Sequence, residues 1–198
     1  MIRRAYPNLH AFPGDDSLTV RGGFPVVVDG TTVDRFQIAV TVPGDYPRAL
    51  PIMRETGGRI PRVPDRHMEP DGRACLFVEE EARTYFPPGS PLLRFFQGPI
   101  NTFLVAQLHF ENFGTWPFGQ RSHGAAGIAE FYAERLQMSQ LQAIVTAVGY
   151  LRHREIKGHW PCPCGSGKRL RACHMRQILA LHDIIPTEVA GRSYARLA

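Results

Sequence analysis

Three of the four cysteines lie close together, in the pattern Cys162-Pro-Cys164, eight further residues, and then Cys173-His174. Thiolate and imidazole are ligands that suit Zn²⁺, and a structural zinc ion takes four ligands in a closed tetrahedron. The fourth cysteine, Cys75, stands alone in the sequence. This split indicates two roles for sulfur: metal binding by the cluster and reactivity of the single thiol.

The clustered cysteines could instead form a disulfide and leave a spare thiol. The sequence shows no secretory signal and the adjacent pair Cys173-His174 is poorly suited to a bridge, so the zinc interpretation is favoured. Gly165-Ser-Gly167 allows a tight bend between the two ligand pairs, and residues 169–176 are expected to begin a helix that carries the second pair. Because protein groups fill all four ligand positions, we expect the zinc ion to be structural.

Cys75 has two competing interpretations. In the sequence Ala-Cys-Leu-Phe-Val it could be a small core residue, because free cysteine is among the most buried residue types. Asp71-Gly72 predicts a turn before it and the acidic run Glu79–Glu81 follows it, so the thiol is expected near the edge between a loop and a strand. A nucleophilic thiol needs thiolate character, and the nearest cationic groups in the sequence are Arg73 and His67.

Hydrophobic alternation predicts an antiparallel meander in the first part of the chain. Residues 33–42 alternate between apolar and polar side chains and predict a half-buried strand. Shorter strands are predicted at residues 18–21, 24–28 and 51–56. The proline-rich stretch 43–91 is otherwise expected to be irregular.

Helical periodicity follows later in the chain. One helix is predicted from about residue 100 to Gly114, a second around residues 128–135, and a third over residues 141–151. Strands first and helices later is the order of an α+β fold.

Charge is distributed unevenly along the chain. Residues 1–150 carry 14 Arg and 15 acidic residues, a net charge of −1, whereas residues 151–198 carry a net charge of +6. A basic tail could contact nucleic acid, anionic lipid or an acidic protein, although no RNA-binding motif or interleaved aromatic residues support nucleic acid. No apolar run of about 18 residues predicts a transmembrane helix, so we expect a cytoplasmic protein.

Two resemblances to known families follow from these motifs. The first covers about residues 159–180, where Cys-x-Cys-x8-Cys-His resembles the SEC-C motif, a small zinc-binding module at the end of the SecA translocase that is also attached to many bacterial proteins. It implies a SEC-C module over residues 154–198. The implied zinc ligands are Cys162, Cys164, Cys173 and His174.

The second resemblance covers about residues 15–150 and is to the ubiquitin-conjugating enzyme (UBC-like) fold, closest to the divergent bacterial branch associated with antiphage operons. The residues that carry it are Tyr46-Pro47, Pro51, His67, Asp71-Gly72 and Cys75-Leu76. In that family a His-Pro-Asn tripeptide precedes a Gly-x-x-Cys-Leu with the thioester cysteine. The resemblance implies a UBC-like domain over residues 1–153, with Cys75 as nucleophile and His67 as the histidine that organises the loop.

The sequence departs from the family's pattern after His67. Met68-Glu69 stands where the family has Pro-Asn, so the asparagine amide thought to stabilise the oxyanion of isopeptide formation is missing. Transthiolation is expected to survive this loss better than aminolysis. Ser122-His123-Gly124 offers a replacement, with His123 as a candidate catalytic residue in a loop. Alternatively, His123 is a helix N-terminal residue that bonds to the backbone.

Three functions remain open. The resemblance implies an acyl carrier that forms a thioester at Cys75 with the C-terminus of a partner protein and passes it to a nucleophile such as a protein amine. The implied donors are the cyclic-oligonucleotide synthase of a CBASS antiphage operon or a ubiquitin-like modifier. The chain could instead be an inactive UBC-like variant that binds a partner's tail, which the missing asparagine favours and the retained Cys75 opposes. It could also be an adaptor that acts through its basic zinc-binding tail.

Overall fold

The computed structural model describes residues 2–87, 89–117, 121–122 and 124–198. Strands come first and most helices follow, which confirms the predicted α+β class and antiparallel meander. The candidate residue His123 lies outside the described residues. None of the helices described is long and apolar enough to cross a membrane.

Contacts within the chain define two compact units. The first consists of residues 1–77 and 86–120, and the second of residues 78–85 and 121–198. The apolar cluster that contains the clustered cysteines also includes residues of helices expected in the first domain, such as Phe131 and Ile144. The domain boundary predicted after residue 153 stays a prediction.

The first unit is built on an antiparallel sheet of four strands in the order β1-β2-β3-β4. The strands are β1 (Leu9–Pro13), β2 (Ser17–Val28), β3 (Thr31–Pro43) and β4 (Ile52–Glu55). Strand β3 confirms the predicted alternation, because its apolar positions are buried: Phe36, Ile38, Val40 and Val42.

Two features of this sheet were not predicted. A short helix α1 (Ile2–Ala5) and strand β1 precede β2, and the two short strands expected at residues 18–28 form one continuous strand. Gly22 of β2 has a φ of 142°, and a Cβ at this position would lie 2.1 Å from the carbonyl oxygen of Asn8. Only glycine therefore allows β1 and β2 to pair in this register.

The chain between residues 43 and 91 is more regular than predicted. After β4 it forms a 3₁₀ turn (Pro64–Arg66), a narrow loop closed by a bridge between Met68 and Ala74, and helix α2 (Glu79–Tyr85). The N–H of Ala74 donates to the carbonyl of Met53 on β4 at 2.9 Å, so Cys75 directly follows a segment that pairs with the sheet, and helix α2 comes after it.

Helical structure resumes in the first unit at residue 92. Helix α3 (Leu92–Phe95) continues through a π-helical turn (Phe96–Ile100) into α4 (Asn101–Phe113). Helix α4 ends at Gly114, whose φ of 68° lies in the left-handed region, as the predicted stop required. The structure therefore confirms the helix predicted from residue 100 to Gly114.

The second unit is helical and encloses one apolar cluster. Its further helices are α5 (Gly124–Leu136), α6 (Leu141–Leu151), α7 (Met175–His182) and α8 (Thr187–Leu197). Helices α5 and α6 confirm the predicted second and third helices. The buried side chains of α6 include Ile144, Val145, Val148 and Leu151, whereas Leu141 at the first position of the helix is 54% exposed.

Polar contacts attach α2 to the rest of the second unit. Glu80 is 3% exposed and accepts a hydrogen bond from the hydroxyl of Ser193 on α8, while Glu79 pairs with Arg192 on the same helix. The hydroxyl of Tyr132 on α5 lies 3.3 Å from Ser193 Oγ. A buried carboxylate requires such partners, so this network specifies where α2 packs within the unit.

Candidate functional site

The four predicted zinc ligands lie together in the second unit. The Sγ atoms of Cys162, Cys164 and Cys173 and a ring nitrogen of His174 are all within 4.8 Å of one another. Cys164 Sγ is 3.4 Å from Cys162 Sγ and 3.6 Å from Cys173 Sγ, and His174 Nδ1 is 3.2 Å from the Sγ of both Cys162 and Cys173. A tetrahedron with Zn–S bonds of about 2.3 Å has edges of about 3.7 Å, so a small inward or outward adjustment would seat a zinc ion.

Glycine conformations create the bend between the first two ligands and the rest of the site. Gly165 and Gly167 have φ values of 77° and 70°, which other residues rarely adopt. The bend returns the chain so that the N–H of Cys162 donates to the carbonyl of Lys168 at 2.9 Å. The predicted tight turn is therefore confirmed.

The second ligand pair lies before a helix and not within one. A 3₁₀ turn (Leu170–Ala172) ends at Cys173, whose N–H donates to the carbonyl of Leu170 at 3.0 Å. His174 directly precedes α7, and its carbonyl accepts the first helical hydrogen bond, from Ile178 at 3.1 Å. The helix predicted to begin in residues 169–176 thus starts only at Met175, because the chain must turn at Cys173 to bring both side chains inward.

Local electrostatics differ among these thiols. Hydrogen bonds from the hydroxyl and the amide of Ser166 lower the pKa of Cys164 to about 6, whereas burial raises the pKa of Cys162 to about 11. Zn²⁺ binds thiolates and releases their protons, so both cysteines would be ionised in the metal complex. Three soft sulfur donors and one imidazole in a closed arrangement fit a structural zinc ion.

Cys75 lies in a different setting, in the loop between β4 and α2. The residue is exposed, and its N–H donates to the carbonyl of His67 at 2.8 Å. The thiol lies 3.4 Å from Glu69 Oε1, and the N–H of Glu69 in turn donates to the carbonyl of Arg73 at 2.8 Å. The alternative that Cys75 is a core residue is therefore wrong.

The carboxylate beside Cys75 opposes ionisation of the thiol. Desolvation by neighbouring atoms and the hydrogen bond and charge of Glu69 raise the pKa of Cys75 to about 11, and the charge of Arg73 only partly offsets them. At neutral pH the thiol is protonated. A reaction at this sulfur must therefore remove its proton as the new bond forms, and among the residues that the structure describes Glu69 offers a base 3.4 Å from the thiol.

His67 contacts the Cys75 segment through its backbone. It ends the 3₁₀ turn in a left-handed conformation with a φ of 49°, and its ring packs edge-on against Trp116 with centroids 4.8 Å apart. The structure thus brings together His67 and Cys75, two of the three predicted catalytic residues, through the hydrogen bond between their main chains.

Sequence reasoning missed two residues, one that contacts the Cys75 thiol and one that binds Arg66. Glu69 had been noted only as a departure from the His-Pro-Asn pattern, although its place two residues after His67 could have marked it as a side chain close to the thiol. Gln107 of α4, which hydrogen-bonds to Arg66, had no sequence signal because the two residues are 41 positions apart.

Comparison with known proteins supports the metal site alone. The SEC-C motif model matches residues 161–176, a range that contains all four candidate ligands. The predicted SEC-C motif and its Cys/His cluster are confirmed, whereas the UBC-like resemblance of the remaining chain stays a prediction. No curated protein and no solved structure matches the chain.

Proposed function

We propose that this protein is a ubiquitin-conjugating-like acyl carrier that forms a thioester at Cys75 and transfers the acyl group to an amine. The observation that carries the proposal is the exposed Cys75 thiol 3.4 Å from the carboxylate of Glu69. A nucleophile next to a base, on a loop whose ends are hydrogen-bonded to each other, is the arrangement that covalent catalysis requires.

Acyl loading uses Glu69 as the proton acceptor. The donor is an activated C-terminal carboxyl group of a partner protein, as a thioester or an acyl adenylate. The Cys75 sulfur attacks the acyl carbon, an S–C bond forms, and the bond to the donor's leaving group breaks. The thiol proton passes to Glu69, because a thiol with a pKa of about 11 cannot ionise beforehand in useful amounts at neutral pH.

Acyl transfer reverses the role of the sulfur. The amine nitrogen attacks the thioester carbon, a C–N bond forms, and the C–S bond breaks with the electron pair going to sulfur. The amine loses a proton to Glu69, and the Cys75 thiolate then recovers it. Glu69 thus serves both half-reactions from one position.

The order of elements supports the family resemblance behind this proposal. A four-stranded meander, a loop with the cysteine, and then helices follow in the order expected for a UBC-like chain. Glu69 stands two residues after His67, where that family carries asparagine, and it contacts the thiol. We therefore propose a carboxylate base at a position where the family uses an amide.

The zinc ion and the cellular setting complete the proposal. When bound, zinc supplies structural cross-linking of the Cys162, Cys164, Cys173 and His174 segment and no reactive site. A reactive free thiol together with a cluster of zinc-binding thiols fits a reducing compartment, which favours the cytoplasm. By resemblance, the donor is a cyclic-oligonucleotide synthase or a ubiquitin-like modifier in antiphage defence.

A peptide thioester tests the reaction without the natural donor. The zinc-loaded protein is incubated with a short peptide that ends in a glycine α-thioester, and intact mass is followed with and without reductant. We expect one peptide adduct that hydroxylamine and thiols remove, and no such adduct on Cys75→Ser. Thiol-labile adducts that persist in Cys75→Ser would assign them to the zinc cysteines, and no adduct on the native protein would favour the inactive binding module or the adaptor.

A further inference from the structure

Gln107 is a fully buried amide in the middle of α4, with 0% of its surface exposed. Both polar atoms of its side chain bind one residue. Gln107 Oε1 accepts a hydrogen bond from Arg66 Nε at 2.9 Å, and Gln107 Nε2 donates to the carbonyl oxygen of Arg66 at 2.8 Å. The amide therefore fixes the side chain and the backbone of Arg66 at once.

Further contacts from α4 hold the same arginine. The Arg66 guanidinium lies over the ring of Phe110, 4.7 Å from its centroid, and its Nη2 is 3.8 Å from Glu111 Oε1. The side chain of Arg66 is only 12% exposed. A long cationic side chain loses conformational freedom and hydration when it is held in this way, so the contact with Gln107 must compensate for part of that cost.

The backbone leads from Arg66 directly to Cys75. His67 follows in the left-handed region, with its N–H donating to the carbonyl of Pro64 at 2.8 Å. Its carbonyl accepts the N–H of Cys75 at 2.8 Å. The carbonyl of Arg66 lies in the peptide plane between Arg66 and His67, and the carbonyl of His67 lies in the next plane along the chain. Because Gln107 fixes the first plane through the Arg66 carbonyl, it also restricts the direction of the His67 carbonyl.

We infer that Gln107 is a positioning residue for Cys75, acting through Arg66 and the carbonyl of His67. The inference rests on the proposed function only in taking Cys75 as the reacting group, because the geometry of the thiol can be measured without any acyl transfer. Gln107 itself does not contact the thiol in the described structure, so its effect must pass through the backbone.

Helix α4 contains a control. Asn101 also binds a single residue through both of its polar atoms, here Val27 of β2: its Oδ1 accepts from the N–H of Val27 at 2.8 Å, and its Nδ2 donates to the carbonyl of Val27 at 2.8 Å. Loss of either amide removes two hydrogen bonds that involve α4. Only the loss of Gln107 touches the backbone that leads to Cys75.

The experiment compares Gln107→Met, Gln107→Glu and Asn101→Leu in the zinc-loaded protein. Iodoacetamide alkylation of Cys75 is followed by intact mass across the pH range, and amide hydrogen exchange is measured over residues 66–75. The charged groups that act on the thiol are Glu69 and Arg73. Methionine has nearly the shape of glutamine without its polar atoms, and glutamate keeps the acceptor for Arg66 Nε but lacks the donor for the Arg66 carbonyl.

In Gln107→Met we expect the pH midpoint of alkylation to fall by about one, because a loosened loop lets the thiol leave Glu69 and enter water. Exchange over residues 66–75 should rise about tenfold or more. Gln107→Glu should restore part of the native profile. Asn101→Leu should lower the melting temperature yet leave both Cys75 readouts as in the native protein.

The inference is overturned if Gln107→Met and Asn101→Leu give the same native-like alkylation profile. If Gln107→Met does not fold, Gln107→Glu decides, and unchanged exchange over residues 66–75 in that variant overturns the inference. A shifted alkylation profile without any acyl adduct in the peptide assay would support the positioning role and reject the proposed function. Adduct formation in the peptide assay with an unshifted alkylation profile would support the proposed function and reject the positioning role.

Discussion

Neutralising Glu69 should make Cys75 more reactive toward a simple alkylating agent and less active in acyl transfer. Glu69→Gln keeps the size of the side chain but removes the negative charge 3.4 Å from Cys75 Sγ. Both the hydrogen bond and the charge of Glu69 raise the pKa of Cys75, whereas the desolvation that contributes most remains in the variant. The pKa should therefore fall from about 11 by about one and stay above the ordinary value.

The size of the effect follows from two opposing factors. A fall of about one in pKa raises the thiolate fraction at pH 8 about tenfold. The less basic thiolate is intrinsically about threefold less nucleophilic, because reactivity rises with basicity with a Brønsted slope of about 0.4–0.5. Alkylation at pH 8 should therefore be about threefold faster. Acyl transfer to an amine should be about 100-fold slower, the usual minimum cost of losing a general base.

Two assays on the same zinc-loaded protein measure these opposite effects. Iodoacetamide alkylation of Cys75 is followed by intact mass, and aminolysis of the preformed peptide thioester is followed with free lysine. Asp65→Asn is the control, because it removes an exposed carboxylate from the 3₁₀ turn of the same loop. Slower alkylation of Glu69→Gln, or equal changes in Asp65→Asn, would refute the assignment of Glu69 as a group that raises the pKa of the Cys75 thiol. Faster alkylation with unchanged aminolysis would retain the electrostatic effect and reject Glu69 as the base.

Three further predictions concern the fold. Chelation of zinc, or Cys164→Ser, should remove one bound metal ion per chain and lower the melting temperature by more than about 10 °C. Elemental analysis measures the metal and calorimetry the melting temperature. An unchanged melting temperature would reject a structural ion. Ser193→Ala should lower the free energy of unfolding by about 2–3 kcal/mol in urea titrations, because Glu80 stays buried without its hydrogen-bond donor. A loss below about 0.5 kcal/mol would mean that the Glu80 carboxylate binds another donor. Gly22→Ala should lower the free energy of unfolding by at least about 2 kcal/mol, since the new Cβ would lie 2.1 Å from the Asn8 carbonyl oxygen. An unchanged free energy of unfolding would show that β1 and β2 can shift to make room.

Features set by neighbouring residues were predictable from the sequence. The buried face of β3 follows from alternation within the strand, and the left-handed stop at Gly114 follows from the residue type. The metal cluster was predictable because ligand chemistry and spacing are local: Cys162 and Cys173 are only eleven positions apart. In each of these cases one short segment contains the whole physical cause.

Features that depend on distant partners were not predictable. The acidic run Glu79–Glu81 was noted only for its position after Cys75, yet Glu80 is buried against Ser193, 113 positions away. No local pattern reveals such a partner, so the helix and its place in the second unit were both missed. Gln107 was overlooked for the same reason, because a single polar residue on a helix shows its role only once Arg66 lies beside it.

The two kinds of sulfur in this chain are separated by electrostatics as well as by position. Hydrogen-bond donors from Ser166 lower the pKa of Cys164 to about 6, which suits a metal ligand, whereas desolvation and then Glu69 raise the pKa of Cys75 to about 11. A protonated thiol reacts slowly with oxidants and alkylating agents. In the proposed acyl carrier, a thiolate of high basicity would also be a poor leaving group, so a thioester on Cys75 would resist loss to water. The carboxylate of Glu69 would take the proton of an arriving amine, and the acyl group would therefore leave when an acceptor is bound beside Glu69.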